Sequence, residues 1–317
     1  MDVREKKIFV GLSGGVDSAV SAALLEEAGA EVTGVFIKGW YPPEMPCTWA
    51  EERRDAMRVA ARLHIPFRTL DASEEYKKGV IDYLLAEYRA GRTPNPDVMC
   101  NREVKFGAFY RYAKERGADA IATGHYRAGE KDQSYFLWAV PKEILAATVF
   151  PVGHFEKSEV RRLAKKFDLL VAEKPDSQGV CFLGSVSVQE FLTRELGSDN
   201  PALLYTIGQR VEHPAGEAGP WYVAAKNIET GELTLSKERG GGGAREVRFS
   251  EPNWHADPSA VEEAQLRYRG PRSAGRVESD RFVSAEPFPE APVPGQSIVF
   301  YQNNILTGGG IIEGEMV

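Results

Sequence analysis

One stretch constrains the fold more than any other: IFVGLSGGVDSAVSAALL, residues 8–25. IFVGL (8–12) is a short apolar run, as a strand buried on both faces requires. SAVSAALLEEAG (18–29) has helical spacing and ends on Gly29. Glycines, serines and Asp17 lie between the two. A strand that enters a helix through glycines brings bare backbone N–H groups and a helix N-terminus to one point, which favours a phosphate. A P-loop NTPase would need the lysine of G-x-x-x-x-G-K-[ST], and none is present here, so a kinase or GTPase of that type is disfavoured. The plain alternative is an ordinary strand-to-helix turn. The complete string SGGVDS at that position argues for more than a turn.

The alternation continues. VTGVFIK (32–38) and FRTLD (67–71) read as strands, and Thr48 with Glu51 resembles a capping box that opens a helix through Leu63. A helix through Tyr83, Leu84 and Tyr88 stops at Gly91, another is expected over roughly 103–116, and ADAIATGH (118–125) reads as a strand. This βαβα pattern predicts an α/β fold, a parallel sheet with helices on both faces. Helical periodicity fades from about residue 197. WYVAAKNI, ELTLS, REVRFS, RFVSAE and QSIVFY then alternate with glycine- and proline-rich turns, as in a small barrel or sandwich. The expected division is a catalytic domain over 1–196, a small central β-rich domain over 197–242 and a C-terminal β-barrel-like domain over 243–317, with GGGG (240–243) as a connection.

Composition narrows the classes of function. A formal net charge of −7 argues against a uniformly basic nucleic-acid coat, although a local basic face is compatible with it. No stretch approaches the ~20 apolar residues of a membrane span, and the first residues do not read as a signal peptide. Three cysteines, Cys47, Cys100 and Cys181, are far apart in sequence, which predicts a reducing cytoplasm rather than a disulfide-stapled fold.

Cys100 belongs to TPNPDVMCNREVKF. Two prolines restrict the backbone, and the cysteine is expected just ahead of a helix, whose dipole would lower its pKa. Asp97 stands three residues before it, close enough to pass a proton. The plain alternative is a buried apolar thiol. Cys181, in KPDSQGVCFLG, follows a turn and by itself reads more readily as a strand cysteine than as a nucleophile. Cys47 has no acid or base motif around it and reads as structural or incidental.

SGGVDS resembles the loop of the N-type ATP pyrophosphatases, which split ATP between the α and β phosphates and adenylate an oxygen of their substrate. By that resemblance Gly11, Leu12, Ser13, Gly14, Gly15, Val16, Asp17 and Ser18 line an ATP site. Asp17 is the carboxylate on the Mg²⁺ side, Ile37 contacts adenine, and Gly124 lies beside the nucleotide. The ordered set GLSGGVDS, AGRTPNPDVMCNREVKFG, ATGHY, KDQSYFL, FPVG, DSQGVCFLG, YTIGQR, LRYR, PGQS and GGGII covers nearly the whole chain. It is similar to the bacterial tRNA-specific 2-thiouridylases, the MnmA/TrmU family.

The resemblance implies a reaction and a residue set. ATP adenylates the C2 oxygen of a wobble uridine, a persulfide on Cys181 delivers sulfur, and AMP leaves. Cys100 works with Cys181, and Asp97 is the general acid/base. Asn95, Pro96 and Asp97 face the target base; His125, Lys131, Asp132, Gln133, Arg267, Tyr268 and Gln296 contact the tRNA. A persulfide donor is implied, either a cysteine desulfurase or a sulfur relay protein. An iron–sulfur cluster held by cysteines ranks second to the persulfide. Taken singly, KDQ also reads as a solvated turn, RYR as a mixed strand face and His125 as a satisfied polar residue.

The chain departs from the family pattern in its short hairpin before KDQSYFL, its short segment before YTIGQR, the replaced residues after GQR and Ile37 in place of a common methionine. Two other classes compete. One is a small-molecule adenylating ligase of the argininosuccinate or NAD synthetase type; the other is a tRNA-binding protein without catalysis.

Overall fold

The computed structural model describes residues 2–42, 49–175, 186–212, 219–238 and 242–314. The chain divides into two compact units, Met1–Val80 with Asp97–Ser185, and Ile81–Pro96 with Val186–Val317.

The first unit is built on a parallel sheet. Its strands are β1 (Lys7–Gly11), β2 (Glu31–Lys38), β3 (Phe67–Asp71), β4 (Ala120–Ala122) and β5 (Thr148–Val149), in the order β3-β2-β1-β4-β5. Ile8, Val10, Val32, Phe36, Ala120 and Ala122 of these strands are buried with Val16, Ala19, Val20, Val59 and Val160 from the flanking helices. The α/β expectation holds. The chain moves outward from β1 through β2 to β3 and then returns to the other side of β1 at β4. The order therefore reverses beside β1, and in open α/β sheets such a point opens a crevice at the carboxyl ends of the strands. β1 delivers the SGGVDS loop there, followed by α1 (Val16–Glu27); α2 (Trp49–Arg62) connects β2 to β3. Thr48, expected to cap α2, lies outside the described residues.

One expectation needs correction. The helix predicted for 103–116 begins earlier: Pro96–Cys100 is already helical, Asn101–Ala108 continues in π-helical geometry and Phe109–Lys114 closes as α-helix. Pro96 opens the helix at its first residue, where the missing N–H removes no bond. The two prolines of PNPDVMCN thus mark a helix start rather than a stiffened loop. Cys100 lies inside that helix, not ahead of it.

The second unit holds two β structures. A three-stranded sheet joins β6 (Arg210–Val211), β7 (Trp221–Lys226) and β8 (Leu233–Ser236). A closed barrel joins β9 (Glu246–Trp254), β10 (Glu263–Gln265), β11 (Arg272–Glu278), β12 (Arg281–Ser284), β13 (Ser297–Gln302) and β14 (Ile305–Ile312), in the order β10-β11-β12-β9-β14-β13. Val247, Phe249, Phe282, Ile298, Phe300 and Ile312 fill its interior, with Trp254 stacked on Phe300. The five segments read as strands all form strands. β6, β10, β11 and β14 were not anticipated. RYR is not a strand face, because residues 266–270 form a turn between β10 and β11. Among the described residues no helix is long and apolar enough to cross a membrane.

Candidate active site

A pocket of about 340 Å³ opens in the first unit where β1, β2 and β4 end. Gly11, Leu12, Ser13, Asp17 and Ser18 of the glycine loop line it, with Ile37, Gly124, His125, Gln133 and Cys100. The pocket therefore joins most of the expected nucleotide residues to one of the two expected cysteines. Lys105, Glu52, Trp40, Tyr41 and Tyr76 also line it.

The loop is shaped by its own hydroxyls. Ser18 Oγ accepts from Ser13 N at 3.2 Å, and Ser13 Oγ accepts from Gly15 N at 3.3 Å. Gly14, Gly15 and Val16 complete the turn from behind rather than from the pocket lining. Gly14 has φ +78°, and a Cβ there would lie 2.5 Å from the Glu52 carbonyl oxygen, so the backbone of α2 presses directly on the loop. Gly124 is required from the other side, since a Cβ on it would lie 2.8 Å from Ser18 N. This close approach keeps the N-terminus of α1 clear, the place where an anion is favoured.

Asp17, in the first turn of α1, is held by two residues that the sequence did not single out. Lys157 Nζ donates to Asp17 Oδ1 at 2.7 Å and to Oδ2 at 2.8 Å, and Tyr126 Oη donates to Oδ1 at 2.6 Å. Lys157 opens the helix Lys157–Lys166. A cation in the first helical turn opposes the macrodipole and needs a compensating anion. That misfit, beside the FPVG motif, is the signal the sequence offers for Lys157. Tyr126, the last residue of ATGHY, brings that motif onto Asp17.

His125 Nδ1 lies 3.0 Å from Thr123 Oγ1, and its ring packs at 5.3 Å from that of Phe106. Burial, then the charges of Lys105 and Arg127, push its pKa down to about 3, so the imidazole at the pocket is neutral near pH 7. Gln133 is tied to the same segment, its Oε1 accepting from Tyr126 N at 3.0 Å. Asp132 Oδ1 accepts from Ser134 N at 2.8 Å and shapes the turn before the helix Ser134–Leu137. Lys131 and Asp132 do not line the pocket, nor does Asp97, which stands in the first turn of the Cys100 helix.

Cys100 is 4% exposed, and the next residue, Asn101, donates from Nδ2 to the Phe136 carbonyl at 3.0 Å. That bond fastens the cysteine's helix to the KDQSYFL segment. Cys181 and the rest of DSQGVCFLG lie outside the described residues, as does Cys47. Among the described residues no group of three or more His, Cys, Asp and Glu side chains is placed to hold a metal ion.

The remaining expected residues belong to the second unit. Gln296 Nε2 donates to the carbonyls of Thr93 at 2.8 Å and Pro94 at 3.1 Å, and Thr93 N donates to Pro294 O at 2.9 Å. PGQS thus clamps the strand of chain that leads into Asn95 and Pro96. Arg267 Nη2 donates to Ile207 O at 3.1 Å and so holds the YTIGQR turn. The Arg269 guanidinium lies 5.2 Å from the Tyr268 ring centroid.

A family model described as a tRNA methyl transferase HUP domain matches residues 6–185, and one described as an aminomethyltransferase beta-barrel domain matches residues 244–312. The tRNA-specific 2-thiouridylase MnmA of Pseudomonas fluorescens is 40% identical over 98% of this chain and 96% of its own length. The chain belongs to the tRNA-specific 2-thiouridylase family. The family member of Streptococcus thermophilus is 38% identical over 98% of this chain and 96% of its own, and that of Hahella chejuensis 39% over 98% of each. The two domain descriptions speak of methyl transfer, whereas the relatives that span the whole chain are thiouridylases. The matches to the first two relatives run over 360 aligned positions against the 317 residues of this chain, so these 2-thiouridylases carry segments that this one lacks.

Proposed function

We propose that this protein is a tRNA 2-thiouridine synthase that activates the C2 oxygen of a wobble uridine with ATP and replaces it with sulfur. The observation that carries this reading is the shared pocket. One cavity is lined both by the glycine loop suited to phosphate and by Cys100.

In the first step the uridine O2 attacks the α-phosphorus. A new O–P bond forms, the bond to the β-phosphate bridging oxygen breaks, and pyrophosphate leaves toward the N-terminus of α1. Asp17 is the protein carboxylate that would share Mg²⁺ with phosphate oxygens, a donor set this ion commonly accepts. When bound, the ion would neutralise charge on the leaving pyrophosphate. Lys157 and Tyr126 hold Asp17 in place for this. Gly124 leaves room for the phosphates, and Ile37 supplies an apolar face to the adenine.

In the second step the terminal sulfur of a Cys181 persulfide attacks C2 and AMP leaves. The Cys100 thiolate then attacks the Cys181 sulfur. The old S–S bond breaks, 2-thiouridine departs and a Cys100–Cys181 disulfide remains for an external thiol to reduce. Asp97 relays the proton. An extruded base is the usual substrate form for chemistry inside such a pocket, with Asn95, Pro96 and Asp97 meeting the base and His125, Lys131, Asp132, Gln133, Arg267, Tyr268 and Gln296 holding the tRNA. A cysteine desulfurase or relay protein supplies the persulfide, and the cytoplasm is the expected compartment.

The test is a thiolation assay with unmodified tRNA, ATP, Mg²⁺ and a persulfide source, read by nucleoside mass spectrometry. ATP-dependent 2-thiouridine that is lost in Cys181→Ser supports the reading. AMP formed only with a small-molecule acceptor would support the ligase alternative.

A further inference from the structure

The helix that carries Cys100 has an unusual register. From Asn101 to Ala108 its backbone is π-helical, with hydrogen bonds that close five residues apart. In an α-helix residue i+5 points about 140° away from residue i. In a π-helical stretch it returns close to the same face. Cys100 and Lys105 are five residues apart, and both line the pocket. The π-helical register accounts for that shared face.

Lys105 is also the one lysine or arginine among the described residues that line this pocket. The other charged or titratable groups around Cys100 come from each neighbouring element. Its own helix contributes Asp97 and the Arg102–Glu103 pair, joined at 2.7 Å. The glycine loop contributes Asp17, already paired with Lys157, and α2 contributes Glu52. His125 adds a neutral ring, and Tyr41 and Tyr76 add phenols. The carboxylates disfavour a negative sulfur. The Cys100 helix offers little help from its dipole, because Cys100 lies a full turn inside it and the effect fades within the first turn.

We propose that Lys105 is the positioning residue whose ammonium holds Cys100 as a thiolate in this pocket. No bond forms to Lys105; the thiol proton passes to water at the pocket, and the lysine charge stays fixed beside the sulfur. The field of Lys105 also reaches His125, so the ammonium acts on the same end of the pocket. The role rests on the reading of Cys100 as a sulfur-handling residue.

The test uses the full chain with Cys47→Ser and Cys181→Ser, so that Cys100 is the single thiol. The rate of iodoacetamide alkylation is followed from about pH 5 to pH 10 by mass spectrometry, without ATP or tRNA. Lys105→Met is expected to move the apparent thiol pKa upward by about one unit, lowering the rate by about 10-fold at pH values below both the parent and the variant pKa, and by less where the parent thiol is already ionised. Lys105→Arg is expected to stay within about 3-fold of the parent. An unchanged profile in a Lys105→Met protein that melts like the parent overturns the proposal. So does a loss in Lys105→Arg equal to that in Lys105→Met, since the lysine's shape rather than its charge would then matter. Lys105→Gln replaces Lys105→Met if the latter does not melt as the parent does. The profile is independent of thiolation, so either result leaves the proposed function to its own assay.

Discussion

Lys157 grips both carboxylate oxygens of Asp17, at 2.7 and 2.8 Å, although 140 residues separate them in sequence. Each residue stands in the first turn of a helix, so two electropositive helix ends share one carboxylate. An incoming triphosphate would meet Lys157 already aimed at the glycine loop. Lys157→Met is expected to lower kcat/KM for ATP by about 100-fold or more, the scale of losing one preorganised donor to a developing charge. ATP-dependent pyrophosphate release measures it, and a change below about 3-fold would remove Lys157 from the nucleotide site.

Gly124→Ala tests the close approach of β4's end to α1. The added methyl group would lie 2.8 Å from Ser18 N and 3.1 Å from Asp17 Cβ. Overpacking of this kind costs about 1–3 kcal/mol. The loop must also shift, so ATP affinity measured by calorimetry should fall more than the melting temperature suggests. Unchanged ATP affinity would mean that the loop tolerates a displaced helix end.

His125 sets a pH dependence of stability. Its native pKa, pushed down to about 3, lies below the ordinary value near 6.5. Between these values the unfolded chain binds a proton that the native chain refuses. Stability therefore rises with pH through this window and is lost on acidification. The urea midpoint of His125→Gln should drop less than that of the parent between about pH 7 and pH 4. Parallel losses in the two proteins would contradict a neutral buried imidazole.

Gln296→Ala removes both donors from the Thr93 and Pro94 carbonyls. A loss of about 1–2 kcal/mol is expected. Amide exchange should quicken in the segment around Arg92 and Thr93 while the barrel interior around Phe300 stays protected. Slow exchange at Thr93 in the variant would show that its bond to Pro294 holds the segment alone.

The sequence made the sheet legible because its strands are short apolar runs separated by helical periodicity. It made the glycine loop legible because SGGVDS occupies a strand-to-helix junction. It failed at β10 and β14, where three residues are too few for a period and a glycine run carries no side chains to alternate. It failed at Pro96, where a proline that opens a helix looks like one that ends a loop. Lys157 and Tyr126 were missed because a cation that opens a helix, or the tyrosine that ends ATGHY, hints at a partner without naming a carboxylate more than 100 residues away. Lys105 was missed because i and i+5 do not share a face on the helix that periodicity assumes.

The π-helical stretch makes helix length a functional variable separate from composition. Deleting any one residue between Asn101 and Ala108 would let the backbone relax to ordinary α-helical spacing, with its apolar content nearly unchanged. A residue beyond the deletion and five positions past Cys100 would then stand four positions past it, about 40° away on an α-helix, and would share its face again. A single codon lost from this segment would therefore leave the downstream residues facing the cysteine, whereas the same loss from an α-helical stretch would turn them by about 100°. An inspection of helical propensity alone would not register that difference.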